Sequence, residues 1–298
     1  MSNNKLYIIG NGFDLHHNLK TSYANFCMYV RENDKELFDF LEGYLDIDLD
    51  KDGLWKDFEM SLSTFDYRAF YSDYDYTEPA SDKFKLSEMF GVEDELMEKS
   101  EMMIQKMRQA LYDWLNEIEY PDNGYKTLLL DTNAKYLTFN YTDTLNQLYF
   151  IPNESILHIH HSVVTHGSDL IFGHGSIIKE EPMFDNDGNG NYPTSSYANA
   201  VSASKMLLAN FYKKTQTIIK VNEKFFDNLH NIDEIIVLGH SLNHIDLPYF
   251  KYLHKTAHKA KWTISYYDEF EPEKMRDALL KAGVEDGMSF IKIDDITI

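Results

Sequence analysis

Asparagine and histidine recur in this sequence where strands should end, and those two side chains suffice to hold a water and move a proton. In Leu137-Thr138-Phe139-Asn140-Tyr141-Thr142-Asp143-Thr144-Leu145 the first residues are apolar and aromatic enough for a buried strand, and Thr142-Asp143 opens a short helix. Asn140 then stands at the carboxyl end of the strand, where open α/β sheets bind ligands. A plainer reading makes it a loop residue that caps the next helix. Eight of the twelve histidines fall between His158 and His244, and histidine is the side chain suited to acid–base work near neutral pH. Period-two alternation in Leu157-His158-Ile159-His160-His161 puts His158 and His160 on one face. With the strand ending near His160, that ring projects over the same edge as Asn140, and His158 better fits a satisfied core position.

Two glycine turns lie at other strand ends. Lys5 to Ile9 reads as a strand closed by Gly10-Asn11-Gly12-Phe13-Asp14, a βα turn in which backbone can approach a phosphate or ribose. The full G-x-G-x-x-G fingerprint is absent, because Leu15 occupies the third glycine position; a tight turn needing positive φ explains the glycines equally well. Glu234 to Leu238 is a strongly apolar strand closed by Gly239-His240-Ser241. A nucleophile elbow would need glycine where Asn243 stands. A second backbone anchor suits the stretch better, with Ser241 capping a helix toward Asp246.

Metal chemistry is a rival use for His158, His160, His161, His166 and His174, with Asp169 as a carboxylate, but their spacing matches no specific ligand pattern. Asp185-Asn186-Asp187-Gly188-Asn189-Gly190 imitates the start of a calcium loop, yet Ser196 stands where the bidentate glutamate belongs. No metal is expected.

The elements that must position these residues alternate. Strands are expected at 5–9, 137–140, 156–160, 170–172, 234–238, 262–267 and 289–293, with helices after Thr21, over 93–119, 197–229, 246–258 and 272–282. The Met and Leu stripe of 93–119 is core, and Tyr67 to Pro79 reads as an exposed aromatic loop. Alternating strands and helices predict a parallel sheet covered on both faces, with a helical insertion at about 32–131 inside a single domain of 298 residues.

Composition narrows the function classes. The formal charge of −21, from 49 acidic and 28 basic side chains, repels nucleic acid and offers no phosphate-backbone footprint. No run of apolar residues is long enough to span a bilayer, and no basic-then-apolar leader opens the chain. One cysteine, Cys27, excludes an internal disulfide framework and a multi-cysteine zinc site. A cytoplasmic protein is expected.

Taken together, Ile9-Gly10-Asn11-Gly12-Phe13-Asp14 with Thr21 and Tyr23, Phe139-Asn140-Tyr141-Thr142, His158-Ile159-His160, Phe172-Gly173-His174-Gly175, and Leu238-Gly239-His240-Ser241-Leu242 with Asp246 and Tyr249-Phe250 resemble the AbiH family. Its members are bacterial phage-defence proteins of the abortive-infection kind. The same landmarks look like a remote version of the sirtuin NAD-binding fold. That resemblance implies a sirtuin-like, Rossmann-type sheet in which Gly10, Asn11, Gly12 and Asp14, with Phe13, Thr21 and Asp143 beside them, bind NAD phosphate and ribose. Gly239, His240, Ser241 and Asp246 would hold the rest of the dinucleotide. Asn140 would orient the attacking water, and His160 would act as general base toward a ribose hydroxyl. His161 stands where sirtuins have glycine, Thr142 where they have aspartate, and their zinc-binding cysteines are absent. Hydrolysis of NAD, rather than lysine deacetylation, is what the resemblance leaves. The alternatives are a nucleotide-sensing or partner-binding module without turnover, and a metal-dependent hydrolase using the histidines. A toxin of the first kind needs restraint, by homo-oligomerisation or by a phage or defence-system protein.

Overall fold

The computed structural model describes residues 4–74, 86–122, 127–176 and 195–296. These fall into two units, one of Met1–Asn25, Tyr112–Ile171 and Lys213–Ile298, the other of Phe26–Leu111 and Phe172–Tyr212.

The first unit is built on six parallel strands: β1 (Lys5–Ile9), β2 (Lys135–Thr138), β3 (Ile156–His158), β4 (Glu234–Leu238), β5 (Lys261–Tyr266) and β6 (Met288–Lys292). Their order across the sheet is β3-β2-β1-β4-β5-β6, the order of doubly wound dinucleotide-binding folds. Near-continuous apolar runs such as Lys5-Leu6-Tyr7-Ile8-Ile9 suit strands buried on both faces. Alternation sends Leu6, Ile8, Ile235 and Val237 to one face, where Phe226, Tyr249, Phe250, Leu253 and Leu279 cover them. Tyr7, Ile9, Ile236 and Leu238 point to the other, against Phe13, Leu145, Ile151 and Ile293. Each wholly buried aliphatic or aromatic side chain contributes roughly 1.5–3 kcal/mol.

Register aligns the carboxyl ends. Ile9 is level with Thr138 and with Leu238, and Thr138 is level with His158. Four adjacent strands therefore end on one line, and the segments that leave them share one edge of the sheet.

The second unit is helical, with Lys35–Tyr44, Phe58–Ser61, Tyr67–Tyr74 and Ser195–Ser204 among its helices. Trp55 stacks on Phe58 with ring centroids 4.8 Å apart, and Leu96, Met103 and Met107 are wholly buried, as the stripe predicted. Tyr67–Tyr74 is a helix, not a loop. Asp66 Oδ1 accepts the backbone N–H groups of Arg68 and Ala69, and Phe70 packs on Phe40 and Tyr44. Aromatic density there signalled packing, not exposure. Residues 75–79 and the calcium-like loop at 185–190 lie outside the described residues.

Two expected strands change. Ile171 N–H donates to the His160 carbonyl, but no ladder extends from it and 170–172 forms no strand. β3 stops at His158, so the period-two argument does not reach His160. The expected helical stretch 197–229 is broken into Ser195–Ser204, Met206–Asn210, Thr215–Val221 and Glu223–Asp227.

Candidate functional site

Strand order reverses between β1 and β4, since chain leaves β1 toward β2 on one side while β4 lies on the other. The two glycine turns meet there. Gly10 N–H donates to the Leu238 carbonyl at 3.0 Å and Gly12 N–H to the Gly239 carbonyl at 2.7 Å. A Cβ on Gly239, whose φ is +65°, would fall 2.1 Å from Phe13 N, and one on Gly10 would fall 2.6 Å from His240 Cα. Close approach of one turn to the other thus requires these glycines. It also commits the Gly10 and Gly12 N–H groups to the protein itself.

On the β2 side the polar groups interlock. Asn140, 6 % exposed, donates through Nδ2 to the Gly10 carbonyl at 3.1 Å, and its own carbonyl accepts His158 Nδ1–H at 3.2 Å. Asp14 is wholly buried, its Oδ2 taking the Thr142 hydroxyl at 2.5 Å. Burial pushes that carboxyl up to about 6, against the opposing pull of hydrogen bonds from Thr142, Thr144 and Asn140. Asp143 Oδ1 accepts the Ser162 hydroxyl at 2.7 Å and lies 3.7 Å from His158 Nε2. Asn11 Nδ2 holds the Thr21 carbonyl at 2.8 Å. Phe13 is a core residue, packed on His17 and Tyr149.

Beyond β3 and β4 lies a second buried network. His160 is 2 % exposed, with its ring among Phe139 and Tyr249. It is His160, not His158, that occupies the core-like position. Burial and the Lys213 charge hold its ring well below the ordinary histidine value, against the pull of Asp246, so it is neutral at pH 7. His240 Nδ1 accepts the Leu242 N–H at 2.9 Å, which leaves the proton on Nε2, 3.5 Å from Asp246 Oδ2. Burial alone would raise the Asp246 carboxyl, but Lys213 and the hydrogen bond from His240 hold it well below the usual range. The structure corrects the capping role read for Ser241: it is exposed, and Asp246 occupies the cap position of Leu247–Thr256.

His161, at the position after the candidate base, has φ +71°, the left-handed region where glycine is favoured. Its ring stacks on His166 with centroids 4.0 Å apart. His174 belongs to the helical unit and bonds the Leu208 carbonyl through Nε2. Among the described residues no three His, Cys, Asp or Glu side chains converge to hold a metal ion. A second calcium-like spacing lies outside the histidine-rich half: Asp48-x-Asp50-x-Asp52-Gly53 with Glu59 at the twelfth position meets the calcium-loop pattern throughout. There Asp50 Oδ1 accepts the N–H groups of Asp52 and Leu54, and Lys56 pairs with Asp48 at 3.2 Å.

Beside the reversal a cleft of about 370 Å³ opens over β4 and β5, lined by Gly12, Gly239, His240, Ser241, Tyr267 and Glu271 among others. Tyr267 O–H donates to the Gly12 carbonyl at 2.8 Å and so fixes one wall. Sequence reasoning missed Lys213, Tyr267 and Glu271. Nothing local marks Lys213, which lies between two helices and is only 3 % exposed.

No helix of the described residues is long and apolar enough to cross a membrane. No curated protein and no solved structure matches the chain. A family model described as bacteriophage abortive infection AbiH matches residues 6–266, a span containing every candidate residue from Gly10 to Asp246. The chain therefore belongs to the AbiH family of bacteriophage abortive infection proteins.

Proposed function

We propose that this protein is a phage-defence effector that binds NAD, or a related nucleotide, across the β1/β4 reversal and hydrolyses its nicotinamide–ribose bond. The observation that carries the reading is the alignment of four polar strand ends, Gly10–Asp14, Asn140–Asp143, His158–His160 and Gly239–Asp246, on one edge of a sheet with dinucleotide-binding strand order. The cleft beside that reversal, over β4 and β5, is of a size found for small-molecule sites and reaches the Gly12 and Gly239 turns but not Asn140 or His160.

In this reading the bond from ribose C1′ to the nicotinamide nitrogen breaks, and its electron pair leaves on the ring nitrogen, which neutralises the pyridinium. Water supplies the new C1′–O bond and releases one proton. Asn140 orients the water, and His160, neutral because it is buried, takes the proton by way of a ribose hydroxyl. The leaving group is already cationic, so its departure needs no strong acid. Homo-oligomers or a phage or defence-system protein would supply restraint.

One observation favours a second reading, binding without turnover: Asn140 and His160 are 6 % and 2 % exposed, so substrate reaches them only if the edge opens.

The test is nicotinamide release from NAD by the purified protein beside Asn140→Ala and His160→Ala, with and without chelator. Wild-type release that is indifferent to chelator, and at least about a hundredfold slower in each variant, is expected. Release lost on chelation returns the metal reading. If the wild type releases nothing but calorimetry detects bound NAD, the sensing reading replaces hydrolysis; absence of binding sinks both.

A further inference from the structure

The proposed base carries a buried apparatus that the hydrolytic scheme does not use. His160 Nε2 faces two groups, the Tyr249 hydroxyl at 3.4 Å and Asp246 Oδ1 at 3.9 Å. Asp246 Oδ1 is buried and has no hydrogen-bond partner, which is costly for a carboxylate oxygen out of water. The other oxygen is accounted for, because Oδ2 faces the Nε2–H of His240. His240 in turn is locked by the Leu242 N–H on its Nδ1 and by Phe139 and Phe250 against its ring. Both nitrogens of His240 are thereby occupied, so it acts as a strut and offers no base to the cleft. Lys213, 3 % exposed, places a positive charge that acts on both Asp246 and His160.

We infer that Asp246 is the positioning carboxylate of His160, with His240 as the strut that aims it. The inference rests on His160 acting as the base, and deepens that reading. When the proton passes from the ribose hydroxyl to His160, the O–H bond breaks and the imidazole becomes imidazolium. Asp246 Oδ1 then faces a cation instead of a neutral ring, and the 3.9 Å gap contracts to a charge-assisted hydrogen bond. The arrangement matches the logic of a base oriented by a third group. The ionisable groups that act on His160 are Lys213, Asp246, His240 and His161, with Tyr249 in contact. Of these only Asp246 favours the protonated ring. Lys213 opposes it at rest, which leaves His160 free to accept a proton.

The inference is tested on the whole chain by two measurements that do not depend on each other. The first is the titration of the His160 ring by nuclear magnetic resonance, assigned by comparison with His160→Gln. Lys213→Met is expected to raise the midpoint by about one pH unit or more, and Asp246→Asn to lower it. Midpoints that stay where the wild type has them overturn the coupling, whether or not the protein turns over NAD. The second is the pH dependence of nicotinamide release. Asp246→Asn is expected to lower kcat about a hundredfold with KM little changed and to move the acid limb to lower pH, while Asp246→Glu recovers part of the loss. An active enzyme whose Asp246→Asn variant keeps kcat and the acid limb overturns the inference and leaves hydrolysis standing. If Asp246→Asn fails to fold, Lys213→Met decides, since its acid limb must move to higher pH.

Discussion

Asp14, wholly buried, and Asp246, largely buried with 14 % of its side chain exposed, are carboxylates at the same edge of one sheet, and their surroundings shift them in opposite directions. Asp14 sits beside Phe13 on one face of the sheet; Asp246 precedes the helix Leu247–Thr256, which covers the other. Burial penalises the charge of both. Around Asp14 the partners are hydroxyls and an amide, too weak to repay desolvation, so its carboxyl is pushed up to about 6. Around Asp246 stand Lys213 and two imidazoles, and its carboxyl is held well below the usual range. Depth alone does not decide which way a buried acid is shifted; the charge and number of its partners do.

Breaking the ionised side should cost most. Asp246→Ala removes the carboxylate on which the buried Lys213 charge acts, and is expected to lower stability by about 3–5 kcal/mol at pH 7 in urea denaturation. A loss below about 1 kcal/mol would mean that water reaches Lys213 and that the network is not dry. The contribution of Asp246 is present above its unfolded value and fades as pH falls below about 4, because its folded value is the lower of the two.

Asp14 should respond with the opposite sign. Its folded value of about 6 lies above the ordinary aspartate value of 3.8, so the proton favours the folded chain. That contribution is complete below about pH 4 and is lost as pH rises through 6, amounting to roughly 3 kcal/mol at about 1.4 kcal/mol per unit. Asp14→Asn is expected to flatten the stability profile between pH 4 and 7 and to gain stability at pH 7. A variant that instead loses stability at every pH would show that Asp14 needs its carboxylate. The smallest effect sharpens the contrast: Thr142→Val removes the hydroxyl that Asp14 accepts, at about 1–2 kcal/mol near pH 7 and less near pH 4, where the carboxyl is protonated. Equal losses at both pH values would dismiss Thr142 as a charge-stabilising donor.

Much of this edge was legible in the chain. Lys5–Ile9 and Glu234–Leu238 declared themselves as strands, because apolar runs of that length bounded by glycine have few other uses. Asn140 fell at a strand end for the same reason. The readings that failed depended on distant partners. Tyr67–Tyr74 looked exposed until Phe40 and Tyr44 came against it. His160 looked like the open histidine because alternation was carried past His158, where the strand stops.

The sequence by itself determined the α/β class, the glycine turns and the four polar segments, since strand periodicity and turn chemistry are local properties of neighbouring residues. Only the tertiary structure decided in which direction the carboxyl of each of these two acids is shifted. Lys213 is far from Asp246 in the chain, and no local pattern announces that the fold will bring its charge to bear on one carboxylate and not on the other. Electrostatic energy depends on distance in space and on exclusion of water, and both are set only once the sheet and its covering helices have packed.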